Sequence, residues 1–142
     1  MLKKITSFIV IFYCSTSCEP TSKLSKTYDR SICQDNTKED LQKSVAYFSN
    51  IVKNDSNDLQ GRYNLAMTYY KFVDSVHFQM SIKEWDYIIS KDSCYNYAFH
   101  NRGICKIFLK NKLEACKDFE NALRCQPSTN NTTRKEYKNL CK

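Results

Sequence analysis

Glycine and proline are scarce in this chain, two of each in 142 residues. No dipeptide such as Asn-Gly separates alternating apolar runs, so no β-hairpin is marked and strands are not expected. Long hydrophobic runs are lacking too. The apolar stretch Ile5 to Tyr13 is nine residues, against roughly 20 needed to cross a bilayer as a helix, which argues against a permanent transmembrane anchor. Histidines number two, and no Cys-x-x-Cys pair exists, so the clustered ligands of a zinc site are missing. There is no Gly-rich phosphate loop and no Gly-x-Ser-x-Gly elbow. A cysteine nucleophile paired with His100 would lack a glycine turn to build an oxyanion site. Glu84 and Asp86 read as solvated helix faces. The expectation is a chain without catalytic residues, metal or cofactor.

What is present begins at the front. Met1-Leu2-Lys3-Lys4 is basic, Ile5 to Tyr13 is mostly apolar, and Ser15-Thr16-Ser17 is small and polar. That is the layout of a secretory signal peptide. The segment Ser15, Thr16, Ser17, Cys18 resembles the lipobox of bacterial lipoproteins, with Ser15 where leucine is usual. The resemblance implies cleavage before Cys18, acylation of that cysteine, and an outer-membrane lipoprotein of the bacterial cell envelope. Two or more acyl chains hold a protein on a membrane where one binds only marginally. The alternative is an ordinary signal peptide and a soluble exported protein.

Removing residues 1–17 takes Lys3 and Lys4 with it, so the net charge falls from +7 to +5 and 125 of the 142 residues remain. The charges are interspersed, and an exported chain of this kind is not expected to bind nucleic acid. Residues 18–37 have few large apolar side chains and no helical stripe, reading as a flexible tether. Residues 38–142 form the domain, enough for one core.

From Thr37 on, the pattern is helical. Thr37 with Asp40 and Thr133 with Glu136 read as capping boxes. Ser93 is placed to cap a helix beginning near Tyr95, and Pro127 marks the end of another.

The informative feature is an internal period. "SVAYFSNIV" (44–52), "SIKEWDYII" (81–89) and "ACKDFENAL" (115–123) align, with Ser44, Ser81 and Ala115 first and Phe48, Trp85 and Phe119 fifth. Upstream, "YNLAMTYYK" and "HNRGICKIF" share an asparagine, Asn64 or Asn101, followed by a small residue, Ala66 or Gly103. The spacings agree with a period of about 34 residues and three extra residues in "FVDSVHFQM" (72–80), read as a longer turn that holds His77.

These units resemble the tetratricopeptide repeat (TPR), a pair of antiparallel helices. The last unit matches ungapped through Ala98, Gly103, Ala115, Phe119, Ala122 and Pro127. The middle unit matches with the insertion, and only the second helix of a first unit is evident, at about 38–54. The resemblance implies an all-α solenoid of about two and a half helix hairpins, closed by a C-terminal cap helix carrying Tyr137, Leu140 and Cys141. It implies close helix contacts where small residues meet, Gly103 with Ala115 and Ala122, and Ala66 with Ser81.

The resemblance also implies a function: a non-catalytic adaptor that binds a protein or peptide segment along the concave face of each unit's first helix. That face reads Gln60, Tyr63, Met67, Tyr70 and then Tyr97, His100, Ile104, Ile107. TPR members that grip acidic C-termini have a basic, Asn-rich groove; Asn64 and Asn101 fit part of that pattern, while aromatics outnumber cations here. The same tyrosines would suit stacking on sugar rings, so a soluble glycan- or peptide-binding module is the alternative.

Six cysteines follow Cys18, at 33, 94, 105, 116, 125 and 141. An even number in an exported chain points to disulfides, with 15 connectivities if all pair. In the hairpin implied by the resemblance Cys94 comes close to Cys125, and Cys116 points towards the cap helix with Cys141. Buried free thiols are the other possibility for several of them.

Overall fold

The computed structural model describes residues 37–95, 97–125 and 131–142. Among them the chain forms six helices and no strand: α1 (Lys38–Asn54), α2 (Leu59–Lys71), α3 (Ser75–Lys91), α4 (Ala98–Phe108), α5 (Lys112–Cys125) and α6 (Asn131–Cys141). Each helix packs chiefly on its neighbours in sequence, which is how a solenoid buries its core. The expected signal peptide and tether, Cys18 and Pro127 lie outside the described residues.

Short polar side chains set three of the helix starts. Thr37 caps α1 and its hydroxyl accepts from Asp40 N–H. Asp58 caps α2, and Asp74 caps α3 by accepting from His77 N–H at 2.9 Å. Two expected caps are corrected. Ser93 does not cap α4; an Asx turn at Asp92, whose carboxylate accepts from Cys94 N–H at 3.0 Å, opens a longer loop. Helix α4 then starts at Ala98, behind Tyr97 in a left-handed conformation. Thr133 is not a cap either, since α6 has already begun at Asn131.

The three extra residues also sit differently from expectation. The turn between α2 and α3 is as short as that between α4 and α5. Val73 (φ 56°) and Lys110 (φ 61°) occupy the left-handed position in each. The extra residues instead lengthen α3, which has 17 residues against 14 in α5. Asp74 fixes where α3 starts, and the His77 ring stacks on Phe72 at 3.9 Å, so the added segment is helical from the outset. Three residues are nearly one turn, so everything downstream keeps its face.

The core follows the repeated positions. Trp85 and Phe119 are fully buried and Phe48 nearly so. Trp85 and Ile88 pack with Tyr63, Ala66 and Ala98, while Phe48 packs with Leu65 and Tyr69. Small residues mark the close contacts. Ser81 donates its hydroxyl to the Ala66 carbonyl at 2.9 Å. A Cβ on Gly103 would lie 2.7 Å from Phe119 Cε1 and 3.3 Å from the Ala115 carbonyl oxygen. A Cβ on Gly61 would lie 2.7 Å from Ile51, so both glycines serve helix approach.

Ion pairs staple both complete hairpins. Glu84 is not a solvated face: it is largely buried and accepts from Arg62 at 2.7 Å. Asp118 stands in the equivalent register of α5, buried, with Arg102 and Lys106 at 2.6 and 2.8 Å. Arg102 also reaches the more exposed Asp86 at 2.6 Å.

Candidate functional site

Two disulfides shape the C-terminal half. Cys94–Cys125 ties the two ends of the last hairpin, and Cys116–Cys141 ties α6 to α5. Cys105 is a free, buried thiol. Burial pushes it up to about 11, so it is no nucleophile at neutral pH. Among the described residues no group of three or more His, Cys, Asp and Glu side chains could hold a metal. No described helix is long and apolar enough to cross a membrane.

Docked in this way, α6 stands beside α4 and completes a groove. A cavity of about 50 Å³ opens there, lined by Met67 and Tyr70 of α2, Trp85 of α3, His100, Asn101, Ile104 and Cys105 of α4, and Glu136 of α6. Of the expected groove residues, the structure brings Met67, Tyr70, His100, Asn101 and Ile104 to this one place. Tyr70 lies against Phe78 and Phe108, with ring centroids 5.8 and 6.0 Å away, and burial raises its hydroxyl to about 12.

Three expected groove residues sit elsewhere. Tyr63 is core: it is buried and packs edge-on against Trp85 at 5.2 Å. Asn64 accepts from the Gln60 amide at 3.3 Å, and Gln60 in turn accepts from the Tyr95 hydroxyl. Tyr97 lies in the turn before α4, beside the Cys94–Cys125 bridge. The reason is the longer loop before α4, which rotates Tyr97 off the helical stripe.

His100 anchors the α6 wall. Its Nδ1 is 2.7 Å from Thr133 Oγ1 and 3.5 Å from Glu136 Oε2. Burial lowers His100 to about 4 and raises Glu136 to about 7. The two therefore meet as uncharged groups through mildly acidic pH, and their contact is not an ion pair there. Glu136 Oε2 and Trp85 Nε1, both on residues lining the cavity, are buried without a hydrogen-bond partner. Sequence reasoning missed Glu136 as a groove residue, because its spacing from Thr133 reads equally well as a cap.

The helices and their order define the class: a small all-α solenoid of TPR-type hairpins. No family model matches the chain, and no curated protein does. Among solved structures it is similar to the NMR structure of the second TPR domain of the human RPAP3 protein in complex with the HSP70 peptide SGPTIEEVD. The TM-score is 0.65 at 25% identity, over 74% of this chain and 84% of that chain.

Proposed function

We propose that this protein is a non-catalytic adaptor of the bacterial cell envelope that holds a peptide segment of a protein partner in the groove between α2, α4 and α6. The observation that carries the reading is the cavity shared by Met67, Tyr70, His100, Asn101, Ile104 and Glu136, in a fold similar to that of a peptide-binding TPR domain. An apolar partner side chain seats against Met67 and Ile104, while Asn101 and Glu136 offer hydrogen bonds to its backbone. The lipobox-like Ser15–Cys18 segment supports tethering through an acylated Cys18. The glycan alternative draws less support, because Tyr63 is buried and Tyr70 is packed between Phe78 and Phe108.

Two measurements test the reading. Peptides tiled from envelope proteins of the host are titrated against the oxidised chain by fluorescence anisotropy, with Ile104→Glu as the groove-blocked control. Saturable binding that weakens at least tenfold in Ile104→Glu supports the groove; binding indifferent to that change places the site elsewhere. The intact mass of the native protein tests the tether, which requires a chain starting at Cys18 with added diacylglycerol and acyl mass.

A further inference from the structure

One edge of the solenoid carries protruding apolar side chains. Val73 and Val76 are each 62% exposed, Leu113 71%, Phe108 44% and Met80 38%. They belong to the turn after α2, the start of α3, the end of α4 and the start of α5, which the antiparallel packing gathers at one end. Phe108 stacks on Phe78 at 4.8 Å, joining α4 to α3 at this edge. Val73 holds a left-handed backbone (φ 56°), a conformation that β-branched residues rarely adopt, and it points this apolar residue into solvent.

The charges on this edge favour one sign. Lys38, Lys110 and Lys112 are exposed. The nearby acids are engaged: Asp74 with His77 at 2.7 Å, Glu114 with Lys117 at 2.6 Å, and Glu39 and Asp40 with Lys43 at 2.9 and 3.9 Å. The edge is also where the N-terminal segment joins. Ile51 lies opposite Gly61, and Phe48 packs with Leu65 and Tyr69, so α1 runs antiparallel to α2 and its first residue, Lys38, stands at the end where α2 finishes.

We infer that this edge docks on an anionic lipid bilayer, with Val76, Phe108 and Leu113 entering the headgroup layer and Lys38, Lys110 and Lys112 meeting the phosphates. Apolar burial and cationic attraction together are what hold a protein at such a surface, each lysine contributing about fivefold. The docking does not depend on acylation of Cys18 or on occupation of the groove, which lies between the helices rather than at their ends.

The test uses the full chain with Cys14→Ser, Cys18→Ser and Cys33→Ser, which excludes an acyl anchor and leaves the buried Cys105 as the one native thiol outside the two bridges. A single environment-sensitive fluorophore is placed at Val76→Cys, or at Ser56→Cys on the opposite edge. Vesicles are phosphatidylcholine alone or with one third phosphatidylglycerol. The inference requires a blue shift and quenching by spin-labelled lipid for the label at position 76 and not at 56. It also requires at least tenfold tighter partition onto the anionic vesicles, and a tenfold loss in Lys110→Glu/Lys112→Glu. Equal responses at 56 and 76, binding indifferent to phosphatidylglycerol, or no binding would each overturn it. Full binding with the label at 76 still in water would assign membrane contact to residues 1–36 and likewise reject the edge.

Discussion

At the scale of single residues, the contact of His100 with Thr133 and Glu136 links the groove to the cap helix and has an unusual pH signature. His100 titrates at about 4 in the folded chain, against an ordinary 6.5. The unfolded chain thus binds a proton below pH 6.5 that the folded chain refuses, and stability falls as the pH drops from 6.5 to 4. Glu136 works in the opposite sense, raised to about 7 from 4.5. The folded chain keeps a proton that the unfolded chain releases, so stability falls as the pH rises from 4.5 to 7. Between 4.5 and 6.5 the two slopes largely cancel. Glu136→Gln should expose the histidine slope, losing about 2–3 kcal/mol relative to wild type on acidification through that window. His100→Gln should show the reverse dependence. Urea unfolding at a series of pH values reads both, and variant profiles parallel to wild type would remove the couple. The sequence placed His100 on the groove stripe, but its partners were hidden. A Thr and a Glu three residues apart look the same whether they close a helix start or reach across to another helix.

At the scale of helices, the close approaches rest on missing side chains. Gly103→Ala should cost about 1–3 kcal/mol by overpacking, because both neighbours of the new methyl, the Phe119 ring and the Ala115 backbone, are buried. The double variant Gly103→Ala/Phe119→Leu should recover part of that loss relative to the sum of the single changes. Additive losses in thermal unfolding would mean that the helices shift instead of clashing. This contact was readable in advance, since a small residue recurring at 66 and 103, with aromatics at 85 and 119, is the pattern that two touching helices require. Helix starts were less legible. Ser93 and Thr133 carry capping chemistry, yet Asp92 captures the turn and α6 begins at Asn131, three residues earlier than a cap at Thr133 would set it. The three-residue insertion was located correctly but read as turn; a strong cap at Asp74 and a ring stack made it helix.

For the molecule as a whole, stability is built from neighbour to neighbour, and α6 has only one face to gain by docking. A helix of 11 residues is marginal alone. The Cys116–Cys141 bridge closes a 25-residue separation, which by loop entropy contributes about 3.5 kcal/mol. Cys116→Ser/Cys141→Ser should therefore leave α1 to α5 protected from amide hydrogen exchange while residues 131–141 exchange freely; unchanged protection in α6 would show that packing alone suffices. Both bridges agree with the expected pairings, Cys94–Cys125 across the antiparallel hairpin and Cys116–Cys141 to the cap helix, whereas the buried thiol of Cys105 could not be told from a bonded one by counting cysteines.

The same bridge also sets an order of events. Glu136 and Thr133 reach the groove only when α6 is docked, and α6 is held by a bond that forms where thiols are oxidised. A chain without the bridge keeps α2 and α4 as walls of the proposed groove, with α6 held by packing alone. The proposed groove is in that sense finished by its surroundings: the bond that fastens its third wall forms only where thiols are oxidised.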